Sequence, residues 1–260
     1  MNKALIVGNW KSYVGSPKLG LELLKAVDKK LPRGMSSTVV VCPPALLVSQ
    51  LRAGYKGSRI ALGTQDVSLF PIGAHTGETV AELARASGAT YTILGHAERR
   101  MHGETDASVA AKVRVALDAK LTPIVCIGES ERDKGAEYLS VIENMLTESL
   151  RTLEPADLKR VVIAYEPVWA IGAPVAPGPR VVSEAVLYIR KLLVQLFGRE
   201  AALKAKILYG GAVDSENAHA LLHEGNANGF LVGRASVDAG NFVGIIRACE
   251  SKVSPKQSST

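Results

Sequence analysis

Aromatic side chains are scarce in this sequence. Phe, Trp and Tyr make up 5% of its 260 residues, although 47% of the chain is hydrophobic. Its core must therefore be filled mainly by Val, Leu, Ile and Ala. No Lys/Arg block interleaved with aromatics is present, so nucleic acid is not expected as a partner. The formal charge of +6 and pI of about 9.2 are dispersed over helix faces, which is compatible with anionic substrates. The three cysteines, Cys42, Cys126 and Cys249, are far apart and form no CxxC pair. Cys42 and Cys126 sit in the apolar runs VVVCPP and PIVCIG and read as small core residues of a reducing compartment, hence a cytoplasmic location. The five histidines are scattered and none pairs with cysteine at ligand spacing, so neither a metal site nor a cofactor is expected. No apolar stretch is long enough to span a membrane. The opening MNKALIVGNW turns polar too soon for a signal peptide, and the final SKVSPKQSST reads as a polar, frayed tail with no peroxisomal signal.

Apolar runs of strand length recur along the chain. They lie near Ala4–Asn9, Thr38–Cys42, Ile60–Gln65, Tyr91–Gly95, Pro123–Ile127, Val161–Glu166, Lys206–Tyr209 and Gly229–Val232. Amphipathic runs separate them, among them Leu19–Leu31, Ala107–Ala119, Tyr138–Leu153, Ser183–Phe197 and Asn217–His223. Strands alternating with helices predict a parallel sheet. Eight such units in 260 residues predict a closed (β/α)8 barrel, with residues 1–250 as a single α/β domain and 251–260 as the tail. A sparsely aromatic core suits a barrel interior filled by branched side chains.

The segment from Val161 to Gly172 carries the clearest functional signal. An apolar, β-branched run delivers the carboxylate of Glu166 and stops at Pro167, which cannot continue a central strand. The carboxyl ends of parallel strands are where such folds keep their chemistry. Other strand ends carry Asn9-Trp10-Lys11, Gly95-His96-Ala97-Glu98, Tyr209-Gly210-Gly211 and Val232-Gly233-Arg234. Taken singly, Lys11 is a solvated lysine, His96 a core histidine and Gly210-Gly211 a turn. Together they put a cation, an imidazole, a carboxylate and glycine turns on one face. Glycine lets backbone N–H groups approach an anion closely, and a helix N-terminus adds a favourable dipole.

The sequence resembles the triosephosphate isomerase family over about residues 4 to 248. The matching segments are GNWK (Gly8–Lys11), CPP (Cys42–Pro44), GTQDVS (Gly63–Ser68), HTGE (His75–Glu78), GHAERR (Gly95–Arg100) and GETD (Gly103–Asp106). They continue as CIGE (Cys126–Glu129), AYEPVWAIG (Ala164–Gly172), YGGAV (Tyr209–Val213) and LVGRAS (Leu231–Ser236). The resemblance implies a TIM barrel that interconverts dihydroxyacetone phosphate and glyceraldehyde 3-phosphate without metal or organic cofactor. It implies Glu166 as the base, His96 as a neutral electrophile, Lys11 as the charge-offsetting cation and Asn9 as a hydrogen-bonding partner beside it, with Glu98 and Cys126 in support. Substrate phosphate is implied at Lys11, Gly172, Ala212, Gly233 and Arg234. A lid is implied over Pro167, Val168, Trp169, Ala173, Pro174, Val175 and Ala176. A homodimer is implied too, in which the Phe70–Val80 loop reaches the neighbour and Thr76 steadies that subunit's Asn9 and Lys11.

Several positions depart from the family pattern. The lid continues Ala173-Pro174-Val175 where threonine, glycine and lysine are usual, and Pro174 has no N–H to donate. Ala212 replaces a serine that would bond to that glycine's N–H, so both ends of one hydrogen bond are lost together. Arg234 replaces a glycine, Ala97 a serine and His75 an aromatic residue, while Ser12 and Tyr13 stand where methionine and asparagine are usual. The expectation is a working isomerase whose lid closes differently. Its rivals are a barrel acting on another small phosphorylated molecule and an inactive barrel serving as a binding protein.

Overall fold

A strand covered on both faces reads as a continuous apolar run, because neither row of side chains meets water. β1 (Leu5–Asn9) and β2 (Thr38–Cys42) are such runs, and so are β3 (Ile60–Thr64), β4 (Ala89–Leu94), β5 (Thr122–Ile127), β6 (Val162–Tyr165), β7 (Lys206–Tyr209) and β8 (Gly229–Val232). The computed structural model describes residues 3–133, 135–173 and 176–251. Its eight strands pair in chain order, all parallel, and β8 returns to β1 to close the barrel. Closure leaves no strand edge to attract another chain.

Side-chain alternation then sorts the core into two layers. Leu5 and Val7 of β1 pack inside the barrel with Val40, Cys42, Ile93, Ile124, Cys126, Val162, Ala164, Leu208 and Leu231. The intervening residues, such as Ile6, Val41, Ile163 and Tyr209, join a larger cluster shared with the helices. The inner layer contains no fully buried aromatic, as the composition predicted. Alternate residues share a face, so Asn9 extends the inward series of Leu5 and Val7. Glu166 likewise extends the series of Val162 and Ala164. It lies one residue beyond β6, yet its N–H still donates to Ile127 O at 2.8 Å.

The helices are α1 (Pro17–Lys30), α2 (Ala45–Gly54), α3 (Ala81–Ala86), α4 (Ala97–Met101), α5 (Asp106–Asp118), α6 (Glu137–Leu150), α7 (Pro179–Phe197), α8 (Arg199–Lys204), α9 (Ala218–His223) and α10 (Ala239–Glu250). α1 starts with Ser16 accepting from Leu19 N–H and Pro17 at the first helical position, and it ends on Lys29 and Lys30. Thr105 and Ser108 form a reciprocal capping box on α5.

The strands lie where the alternation put them, with β4 starting at Ala89 rather than Tyr91 and β3 ending at Thr64 rather than Gln65. Helices α2, α3, α4, α8 and α10 were not anticipated. α3, α4 and α8 span at most six residues, too few for a helical period to show. α10 was legible: Asp238 caps it, and Phe242, Val243, Ile245 and Ile246 recur at core-facing spacing. α7 begins at Pro179, four residues before the predicted start, because proline at the first helical turn sacrifices no intrahelical bond.

Candidate active site

At the carboxyl ends of the strands, Asn9, Lys11, His96 and Glu166 line one cavity of about 290 Å³. Gly172, Gly211, Ala212, Gly233 and Arg234 complete much of its wall. Four different strands therefore contribute polar groups to one small chamber.

His96 sits between β4 and α4, where its ring also caps the helix. Glu98 N–H donates to His96 Nδ1 at 3.1 Å. Nδ1 thus acts as acceptor, so a neutral ring carries its proton on Nε2. Nε2 faces Glu166 Oε1 at 3.4 Å, and both side chains are buried. Glu166 Oε2 is screened from water and has no hydrogen-bond partner among the described residues. A buried carboxylate oxygen left unpaired is costly to stability.

Lys11 is held by its backbone. Its φ of 45° lies in the left-handed region, which a lysine rarely adopts. Asn9 Oδ1 accepts from Lys11 N–H at 3.1 Å, and Gln65 Nε2 donates to Lys11 O at 2.8 Å. Those bonds hold the strained conformation, and such strain clusters at functional sites. The ammonium donates to Glu98 Oε1 at 2.6 Å. Partial burial works against the Glu98 charge, but the hydrogen bond and charge of Lys11 outweigh it and hold the carboxyl below its ordinary range. The partner of Glu98 is therefore Lys11.

Two glycines make room for the base. A Cβ on Gly210 would lie 2.7 Å from Glu166 Cγ, and one on Gly128 would lie 2.1 Å from Glu166 O. Gly210→Ala is expected to lower kcat by about a hundredfold, since a misplacement of about 1 Å costs that much. Steady-state kinetics beside a thermal melt checks this: a folded variant with parental kcat would show that the base tolerates displacement.

The turn after β6, where the resemblance implies that a lid starts, is anchored to the segment that follows β5. Val168 N–H donates to Glu129 O at 2.9 Å, and Trp169 Nε1 and Tyr165 Oη both donate to Glu129 Oε1 at 2.9 Å. Burial, with the Glu129 charge and hydrogen bond adding to it, pushes the Tyr165 phenol far above its ordinary value, so it serves as a donor. Val168–Ala170 form a short 3-10 turn, and Gly172 follows with φ of 70°. Ala173 and Ala176 flank the expected lid substitutions, while Pro174 and Val175 lie outside the described residues.

The structure gathers Lys11, Asn9, His96, Glu166, Gly172, Ala212, Gly233 and Arg234 at one cavity. Cys126 lies behind it, lining a second cavity of about 330 Å³ that meets Glu166 from the other side. Burial pushes its thiol well above the ordinary value, with Glu166 adding to the effect, so it is an inert S–H group. Thr76 is exposed on its loop and is not among the described residues lining its own chain's cavity. Beside it, His75 stacks on Phe70 with ring centroids 4.3 Å apart, filling an aromatic's place. Tyr13, set aside in the sequence, lines the cavity. Glu129 was also missed as the lid's anchor; an acid ending the apolar run of β5 was the available signal.

Comparison with known proteins bears on this arrangement directly. The family model described as triosephosphate isomerase matches residues 4–249. The chain belongs to the triosephosphate isomerase family. The triosephosphate isomerase of Xanthobacter flavus is 42% identical over 249 residues, covering 95% of this chain and 97% of that protein. That of Rhodopirellula baltica is 39% identical over 251 residues, covering 96% and 98%. The crystal structure of triosephosphate isomerase from Bartonella henselae superposes with a TM-score of 0.84 at 33% identity, covering 96% of this chain and all of that one. Among the described residues, no helix is long and apolar enough to cross a membrane.

Proposed function

We propose that this protein is a triosephosphate isomerase that interconverts glyceraldehyde 3-phosphate and dihydroxyacetone phosphate in the cavity between Lys11 and Gly233. The observation that carries this reading is the approach of Glu166 Oε1 to Nε2 of His96, whose Nδ1 accepts from Glu98 N–H, in a small chamber of a chain belonging to that family. Glu166 takes the proton from the carbon next to the carbonyl. His96 Nε2–H hydrogen-bonds to the carbonyl oxygen as negative charge grows there, and Lys11 offsets that charge. His96 gives its Nε2 proton to that oxygen and recovers one from the neighbouring hydroxyl, so that when Glu166 returns its proton to the neighbouring carbon the aldehyde and ketone have exchanged. This enzyme family is itself the standard illustration of a glutamate base working beside a neutral histidine.

Lys11 supplies the charge for the substrate phosphate. Gly172, Ala212, Gly233 and Arg234 supply backbone N–H groups at the opposite wall, where barrels commonly hold phosphate. The lid from Pro167 to Ala176 excludes water, which protects the enediolate. Conversion of glyceraldehyde 3-phosphate in a coupled assay, beside Glu166→Gln, tests the reading. A folded parent without activity would overturn it and direct attention to other phosphorylated substrates.

A homodimer built on the Phe70–Val80 loop belongs to the same reading. Support comes from the exposure of Ile72 and Thr76 on a loop braced by Ser68 N–H donating to Thr79 O at 2.8 Å. Ile72→Arg is expected to convert dimer to monomer in sedimentation and to reduce activity, because Thr76 would no longer reach the neighbour's Asn9 and Lys11. A parent that sediments as a monomer would refute the dimer.

A further inference from the structure

The sequence shows scattered histidines, but the fold brings two of them together far from the chemistry already described. His219 and His223 stand one turn apart on α9, with ring centroids 4.5 Å apart and ring planes inclined by 50°. A four-residue spacing puts both side chains on one helix face. It is also the spacing at which helical histidine pairs hold zinc. Both residues are half-buried. His223 Nε2 is screened from solvent and has no hydrogen-bond partner among the described residues. An imidazole nitrogen that carries no proton has a lone pair for coordination.

We propose that His219 and His223 form a two-imidazole site for a borderline divalent ion, namely zinc, nickel or copper(II). A zinc–nitrogen bond is about 2.0–2.1 Å long, so two nitrogens on one ion lie no more than about 4.2 Å apart. The ring centroids of His219 and His223 are 4.5 Å apart, close to that limit. Imidazole suits these ions, whereas magnesium and calcium prefer oxygen ligands. The ion gives the unpartnered Nε2 a ligand role. No group of three or more His, Cys, Asp or Glu among the described residues is placed to hold a metal. Water therefore completes the coordination shell, and the ion exchanges freely rather than being locked in a closed structural site. The site also has a place in the architecture. Just before α9, Asn217 Nδ2 donates to Ala212 O at 3.3 Å, which ties the start of that helix to one wall of the main cavity.

Calorimetric titration of the tag-free protein with Zn²⁺ and Ni²⁺, alongside thermal melts, tests this independently of the isomerase reading. One ion per chain is expected, with a melting temperature that rises with ion concentration. His219→Gln and His223→Gln should each weaken binding by at least about tenfold, the lower end of what losing even an outer-shell partner costs. His102→Gln should leave it unchanged, and Mg²⁺ should have no effect. Should His223→Gln fail to fold, His219→Gln decides. A parent that binds no ion, or a His219→Gln chain that binds as tightly as the parent, overturns the proposal.

Discussion

Glu166→Gln is expected to lower kcat by about three orders of magnitude, within the range ascribed to a positioned acid–base group, without lowering the melting temperature. The two side chains have the same shape, so Gly210 and Gly128 still accommodate the substituted residue. What disappears is the basic oxygen. KM should change little, because the proton is taken only in the transition state. Stability should hold or rise: Glu166 is buried, and its Oε2 has no hydrogen-bond partner among the described residues. A neutral amide costs less to bury than a carboxylate with one oxygen unpartnered. Opposite signs for activity and stability at one residue would mark a site selected for chemistry at the expense of folding. A variant retaining kcat within tenfold of the parent would mean that another group removes the proton.

Lys112→Met should produce the largest loss of stability. Lys112 is buried, contacts Asp66 Oδ2 at 2.8 Å, and pairs with Glu104 Oε1. Arg99 reaches Asp66 Oδ2 at 2.8 Å and Glu104 Oε2 at 3.7 Å, but it is largely exposed. Burial pushes the Asp66 carboxyl above its ordinary value, and the hydrogen bond and charge of Lys112 pull it back. Removing the lysine leaves two screened carboxylates facing each other across an apolar methionine. Breaking a buried pair this way costs about 3–5 kcal/mol. For a chain of this size each kcal/mol is worth about 2–4 °C, so the melt should fall by on the order of 10 °C. Adding Glu104→Gln should recover part of the loss, because it removes one of the stranded charges. A single variant melting within about 2 °C of the parent, less than 1 kcal/mol on that scale, would show that water or Arg99 already carries the compensation.

The barrel was legible because its strands alternate with helical runs, and closure follows from the count. The site was legible in part for a local reason: Asn9 and Glu166 continue inward-facing series that the alternation already defines. Other features depend on neighbours distant in sequence. The pairing of Lys11 with Glu98 spans β1 to α4. Lys112 of α5 meets Asp66, beyond the end of β3, although 46 residues separate them in the chain. Glu129 holds Trp169 across β5 and the turn after β6. No periodicity announces such contacts, since each depends on side-chain reach rather than backbone pattern. The family resemblance supplied roles for single residues, but not the way His75 stacks on Phe70 in place of the usual aromatic.

The contact between Trp169 and Glu129 has an experimental consequence. The chain contains two tryptophans, and Trp10 is completely buried beneath α1 and α2 while Trp169 is 37% exposed at the root of the lid. The indole that senses solvent therefore lies in the turn after β6, and its hydrogen bond ends on a carboxylate that follows β5. On the proposed lid reading, movement of that turn would change the intrinsic fluorescence of the unlabelled protein, with Trp10 as a constant internal background.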